Sequence, residues 1–254
     1  MCNNNQFFEY LAGIIDGDGS LLLSKQGFGS LEITMDSRDE RCLQYIKHQL
    51  KQGKIKPRSG SKSVRLRIHN KQGMIDLINK INGLIRYPQR LAQLEKLCLI
   101  YDIPFKSPKI LTNQSSYFSG LMDSDGTVTM SFKKSKHSPI VRPQLTISIT
   151  SRNRNDLEIL VKEFNGNIYI DKSGKYLTYK WSIQSKKNIL NFVNYLKEHP
   201  LHTLKQQRIL MIEEYYRFYE FHAFKPENTV LYQSFKKWEQ KWKSYGLTRD
   251  ANLL

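Results

Sequence analysis

The 254-residue sequence contains only three cysteines, Cys2, Cys42 and Cys98, far apart and without a Cys-x-x-Cys pair. That spacing excludes a disulfide framework and a cysteine-built zinc site, and it suits a reducing compartment. The six histidines are scattered. His199 and His202 flank Pro200 but have no second ligand pair for zinc. No apolar run approaches the roughly 20 residues needed to span a bilayer, so no membrane is expected among the partners. The opening MCNNNQFFEY has no basic region ahead of an apolar stretch, so no secretory leader is expected. Acidic residues are also scarce: 23 Asp+Glu face 40 Lys+Arg, a formal net charge of +17. A surplus of that size draws polyanions, of which nucleic acid is the commonest.

What the chain does have is itself twice. LAGIIDGDGS (residues 11–20) returns as FSGLMDSDGT (118–127), with Asp125 standing 107 positions after Asp18. LEITMDSRDERCL (31–43) returns as LTISITSRNRNDL at an offset of 114, and IHNKQGMIDLINKI (68–81) as IQSKKNILNFVNYL at 115. The offset grows by seven across KKSKHSPIVRPQ, a Lys-, Ser- and Pro-rich stretch expected to be a loop, where insertions are cheap. Divergence after duplication leaves this pattern.

Each unit reads in one order. A helix of small residues (about 5–17 and 114–124) runs into period-two strands, then a short amphipathic helix (43–50 and 157–164), more strands (64–68 and 179–183) and further helices. Leu31, Ile33 and Met35, and Leu145, Ile147 and Ile149, mark apolar strand faces, which predicts half-buried antiparallel sheets. The other parity carries Ser20, Leu22, Ser24, Gln26, Glu32, Thr34, Arg65 and Arg67 in the first unit. In the second it carries Thr127, Thr129, Ser131, Lys133, Arg142, Gln144, Thr146, Lys180 and Ser182. A solvated face would explain one such sheet. Two copies in a chain of this charge favour a surface that reads nucleic acid, since long polar side chains can enter a major groove and meet base edges while Lys and Arg meet phosphates. The fold class is therefore α+β, with a first repeat at 1–101, a linker at 102–114, a second repeat at 115–220 and a helical extension at 221–254.

Gly13 and Gly17 stand four apart, as do Gly120 and Ser124, with Ala12 and Ser119 beside them. Small residues at that spacing share one helical face and let two backbones approach closely. Packing the two helices on this seam brings Asp18 and Asp125 together at helix C-termini, where the macrodipole disfavours an anion. A divalent cation would offset that. Carboxylates, carbonyls and water suit Mg²⁺, and Mn²⁺ or Ca²⁺ fit the same donors. Asp16 and Asp123, two positions earlier, point elsewhere and are expected to make structural hydrogen bonds.

LAGIIDGDG and FSGLMDSDG resemble the paired motifs of a single-chain LAGLIDADG homing endonuclease, over nearly the whole chain to about residue 220. The resemblance implies two pseudo-symmetric αββαββα units whose sheets form a saddle over double-stranded DNA. It implies a monomer that makes a metal-dependent double-strand break with short 3′ overhangs in a long asymmetric target. Asp18 and Asp125 would hold the metals, with carbonyls of Gly17 and Ser124 adding ligands. A basic residue would stand near each scissile phosphate. The repeat offset selects Arg90 and Lys205, although Arg86 and Lys96 lie close to Arg90. The water-ordering Gln of many relatives is not evident; Thr34 and Ser148, or Ser37 and Ser151, occupy that neighbourhood. An intron RNA maturase on the same fold is the alternative, with intron RNA as its partner. An organellar location, chloroplast or mitochondrion, follows if the gene lies in an intron there.

Overall fold

The computed structural model describes residues 4–135, 138–172, 174 and 176–246. Cys2 and the last eight residues of the expected extension lie outside them.

The first unit runs α1 (Asn4–Asp18), β1 (Gly19–Leu23), β2 (Gly29–Asp36), a 3-10 turn (Ser37–Asp39), α2 (Glu40–Leu50), β3 (Lys54–Pro57), β4 (Ser63–Ile68), α3 (Lys71–Ile81) and α4 (Pro88–Ile100). The second runs α5 (Tyr117–Asp125), β5 (Gly126–Ser135), β6 (Ser138–Ser151), α6 (Asn155–Phe164), β7 (Asn167–Asp171), β8 (Thr178–Ile183), α7 (Lys186–Glu198), α8 (Lys205–Leu210) and α9 (Ile212–Glu220). Helix α10 (Thr229–Ser244) follows. Both sheets are antiparallel, four-stranded and ordered alike, β1-β2-β4-β3 and β5-β6-β8-β7. The expected α+β architecture is therefore present, the first unit carrying one helix more than αββαββα and the second two more.

The duplication extends to the caps. Asn70 caps α3 by accepting from Gly73 N at 2.6 Å, and Ser185, 115 positions on, caps α7 by accepting from Asn188 N at 3.3 Å. In the first sheet Leu21, Leu31, Ile33, Met35, Val64, Leu66 and Ile68 are buried under α2 and α3. In the second, Val128, Leu145, Ile147, Ile149, Trp181 and Ile183 lie under α6 and α7.

Two expectations need correction. KKSKHSPIVRPQ is not a loop: pairing continues through Lys133↔Arg142 and Lys134↔Val141, so the insertion lengthens a hairpin. Alternation of Val128, Met130 and Phe132 already allowed that, and Pro143 sits where its missing N–H leaves the ladder intact enough to continue. Conversely, β1 stops at Leu23, so Ser24 and Gln26 are not strand residues. The chain turns at Gly27 (φ +83°), and the Ser24 hydroxyl accepts from Phe28 N at 3.0 Å.

α1 and α5 meet in backbone contact. A Cβ on Gly13 would lie 2.1 Å from Tyr117 O, and one on Gly120 2.0 Å from Tyr10 O. A third close approach sets Gly17 against Ser124. Ala12 and Ser119 are buried, but Ser119 faces its own unit, its N–H donating to Tyr195 Oη at 3.1 Å. Helix α10 buries Phe235, Trp238 and Trp242 against α9 aromatics, while the buried Arg208 donates to Val128 O (2.7 Å) and Trp242 O (3.3 Å).

Gly120→Ala should lower stability by about 3 kcal/mol, because the added methyl meets backbone that cannot swing aside. The midpoint of thermal unfolding should then fall by roughly 6–12 °C.

Candidate active site

Asp18 and Asp125 are the last residues of α1 and α5, and the strands begin immediately after them. Their neighbours cross the seam: a Cβ on Gly17 would sit 2.9 Å from Asp125 Oδ2 and 2.1 Å from Ser124 Oγ. Only a residue without a side chain lets the second carboxylate in so close. Burial and the adjacent Asp18 push the Asp125 carboxyl up to about 7. Burial pushes Asp18 up to about 6, against the opposing pull of Lys205 and Arg90. Asp18 keeps an open face to solvent. Two neighbouring carboxylates, both raised chiefly by burial, are a donor set a divalent cation would satisfy.

The basic residues selected by offset both reach this place. Arg90 Nε donates to Ile15 O at 3.1 Å, bracing the end of α1. Lys205 Nζ donates to the carbonyls of Met122 (3.0 Å), Asp123 (2.7 Å) and Ser124 (3.1 Å), bracing the end of α5. Burial lowers the affinity of both for their protons, with the aspartates pulling the other way. The Ser124 carbonyl is thus already a partner of Lys205. Arg86 turns away, donating to Lys109 O and stacking on Tyr117 (5.4 Å), and Lys96 is exposed.

Asp16 and Asp123 make the structural bonds expected of them, in a crossed pattern. Asp16 accepts from Arg86 N (2.8 Å), Tyr87 N (3.2 Å) and Tyr117 Oη (2.7 Å). Asp123 accepts from His202 N (2.7 Å), Thr203 N (3.3 Å), the Thr203 hydroxyl and Tyr10 Oη (2.8 Å). Each aspartate ties its own unit's last segment to a tyrosine of the other unit's motif helix. Sequence reasoning passed over Tyr10 and Tyr117, yet they stand at the same offset of 107 as Asp18 and Asp125. It also missed Asp39, buried and accepting from Leu204 N at 2.7 Å near Asp18, and Tyr87.

On the open face of the first sheet Ser20, Leu22, Glu32, Thr34, Arg65 and Arg67 share one side as expected. Arg65 and Arg67 are not free: both pair with Glu32, at 2.8 and 3.2 Å. Lys54 and Lys56 of β3 line the cavity beside them, a strand the sequence reading did not use. In the second sheet Thr129, Ser131, Lys133, Arg142, Gln144, Thr146 and Lys180 are accessible in whole or part. Thr127 is bound to the buried Ser148 (2.7 Å), and Ser182 is itself buried. Among the described residues no cluster of three or more His, Cys, Asp or Glu could hold a metal, and no helix is long and apolar enough to cross a membrane.

Paired motif helices ending in two carboxylates, between two like sheets, define a class, and comparison identifies it. The LAGLIDADG endonuclease family model matches residues 11–101 and 118–216, so the chain belongs to that family. It is 41% identical over 94% of its length to the intron-encoded RNA maturase bI4 of Saccharomyces cerevisiae. It is 39% identical over 94% to a probable intron-encoded endonuclease, aI2, of Debaryomyces hansenii. The chain spans 37% and 38% of those two relatives. It is also 30% identical to the intron-encoded DNA endonuclease ai2a of Dictyostelium discoideum, covering 93% of this chain and 76% of that one. The same fold occurs in the LAGLIDADG meganuclease I-AabMI bound to uncleaved DNA (TM-score 0.65, 20% identity, 85% and 92% of the chains). It occurs again in I-SmaMI bound to cleaved DNA (TM-score 0.67, 16% identity, 97% and 98%).

Tyr117→Phe should destabilise the protein by about 1–3 kcal/mol, since it removes a donor from the buried Asp16 carboxylate and leaves the ring in place. Tyr10→Phe should do the same at Asp123, with urea unfolding as the measurement.

Proposed function

We propose that this chain is a metal-dependent DNA endonuclease that cuts both strands of a long asymmetric target. The observation that carries the reading is the convergence of Asp18 and Asp125 across a glycine seam, with the part-buried cations Arg90 and Lys205 beside them. Asp18 and Asp125 would hold the divalent ions, with Mg²⁺ the ion that suits their oxygen donors and Mn²⁺ or Ca²⁺ able to replace it. When bound, such ions lower the pKa of coordinated water and neutralise charge at the attacked phosphate.

The chain's own residues do the remaining work. Arg90 and Lys205 lock the helix ends and set positive charge beside each carboxylate, where a scissile phosphate would sit. The accessible polar faces of the two sheets supply base and phosphate contacts: Leu22, Thr34, Arg65 and Arg67 with Lys54 and Lys56 in one, and Ser131, Lys133, Arg142, Gln144 and Lys180 in the other. Glu32 anchors the two arginine forks in one orientation, which favours base readout over loose phosphate binding. Pseudo-symmetry within one chain lets a monomer address two half-sites. The intron-encoded relatives support an organellar intron as the gene's setting.

A second reading has a specific basis in the 41% identity to an RNA maturase. The same basic faces would then bind intron RNA, and this activity would survive loss of both aspartates.

Asp18→Asn or Asp125→Asn should abolish double-strand cleavage, by about 10³-fold or more, while target binding changes little. Ca²⁺ at about 100 times its Kd should raise the stability of the unmodified protein by about 2.7 kcal/mol, and neither variant should show the full shift. Clear double-strand cutting by either variant, read on a labelled duplex recovered by cleavage selection, would overturn the assignment.

Glu32→Gln should tighten binding to random duplex DNA and steepen its salt dependence, because two arginines become free for phosphates. Filter binding to a random duplex and to the selected target across 50–200 mM salt measures both effects.

A further inference from the structure

The two motif aspartates are related by the duplication, but the groups around them are not. On the Asp125 side a cavity is bounded by Gly17, Tyr87, Arg90, Asp125, Ser151 and Asp156. Tyr87 enters it from the amino end of α4, the positive pole of that helix, with its backbone N–H fixed to Asp16 at 3.2 Å. Its hydroxyl is buried and makes no hydrogen bond of normal geometry, with Ser151 close enough to interact with it. Ser151, alongside it, already gives its O–H to Asp156 (2.8 Å) and accepts from Asn153 N (3.1 Å). A buried phenol whose O–H makes no well-formed hydrogen bond, close to a motif aspartate and a half-buried arginine, is a donor able to take another acceptor.

The other half lacks this arrangement. The position matching Tyr87, 115 residues on, is His202. Its ring is stacked on Tyr45 at 3.7 Å and set edge-on to Tyr10 at 5.0 Å, packed among first-unit aromatics. Asp156 is matched by Cys42, which meets the Tyr10 hydroxyl at 3.2 Å, and Asn153 by Asp39, which accepts from Leu204 N. Lys205 there is committed to three carbonyls of α5. Duplication conserved the two acids and their bracing cations, and left the surrounding donors free to diverge.

We propose that the Tyr87 hydroxyl is a positioning group for one of the two strand cuts, the one served by Asp125 and Arg90, so that the strands are cut at unequal rates. The inference rests on the nuclease reading above. With DNA in the cavity, a small shift of the ring brings the Tyr87 O–H, buried in the free chain, onto a phosphate or water oxygen held beside Asp125. That bond strengthens as negative charge gathers at the phosphate, so it acts on the chemical step more than on binding. Tyr87 transfers no proton; it only orients the oxygen that reacts or leaves.

The test uses a duplex recovered from a randomised library by cleavage with the unmodified chain, carrying a different 5′ fluorophore on each strand. Single-turnover rates are read per strand in Mg²⁺ for the unmodified chain, Tyr87→Phe and Arg90→Ala. Tyr87→Phe keeps the ring and removes one O–H. It should slow one strand by about ten- to hundredfold, the range for a lost hydrogen bond to a charged group. The other strand should stay within about twofold, nicked duplex should accumulate, and the binding constant should hold. The slowed strand should be the one that Arg90→Ala slows more. A merely structural role would slow both strands together, so equal slowing, no slowing, or slowing of the opposite strand overturns the inference. Should Tyr87→Phe fold poorly, Ser151→Ala, which removes the hydroxyl beside the phenol together with its bonds to Asp156 and Asn153 N, should shift the strand ratio in the same direction; an unchanged ratio overturns it equally. If the library yields no cut duplex in Mg²⁺ or Mn²⁺, the nuclease reading itself falls and this inference falls with it.

Discussion

The structure depends on one contact: the backbones of α1 and α5 touch at Gly13 and Gly120, where any side chain would collide with a peptide carbonyl. Everything catalytically interesting is a consequence of that approach. Because the axes are so close, the helix ends converge and two carboxylates share one small volume. Because the helices cross at a pseudo-twofold, Tyr10 and Tyr117 each reach the aspartate of the opposite unit. The seam is dry enough that those bonds are strong, and the crossed pattern gives each unit a reason to require the other. Neither motif could build the site alone.

The same contact creates an electrostatic debt that locates the site. Two acids at two helix C-termini oppose both the dipoles and each other, and burial, with the charge of Asp18 added, raises Asp125 to about 7. Lys205 and Arg90 moderate this by sitting on helix-end carbonyls rather than by forming ion pairs with the carboxylates. The oxygens of Asp18 and Asp125 are thereby left for the cation and phosphate that the proposed function would bring. Away from the centre the surplus of positive charge is itself disciplined: Glu32 holds two arginines in register on the first sheet, and the buried Glu239 pairs with Lys243 at 2.9 Å on α10.

Symmetry in this molecule is deep in the skeleton and shallow at the surface. Strand order, the Asn70 and Ser185 caps and the crossed tyrosines all repeat. The hairpin of β5 and β6, the docking of α10 and the neighbours of the two aspartates do not. On the proposed function, a target without palindromic symmetry would call for this division, since packing must stay equivalent while the reading surfaces differ. The extension also ties the halves: Arg38 Nη1 donates to Gly246 O at 3.1 Å, so the end of the second unit's added helix reaches the first unit's 3-10 turn.

The sequence by itself determined the duplication, the helix-to-strand order, the glycine seam and the identity of the two converging acids. Each is written locally, as a period of two, a spacing of four or a repeated offset, and local patterns survive without knowledge of the fold. It was misled where the signal depends on a neighbour. Lys and Pro in KKSKHSPIVRPQ read as a loop until a partner strand exists to pair with, and Ser24 reads as strand until the turn at Gly27 is known. Only tertiary structure decided that Arg65 and Arg67 face Glu32, that Lys205 meets three carbonyls of a helix 80 residues earlier, and that Tyr87 ends close to Asp125 with its hydroxyl in no well-formed hydrogen bond. These are contacts between residues far apart in the chain, and no spacing along a sequence encodes which distant group a side chain will meet.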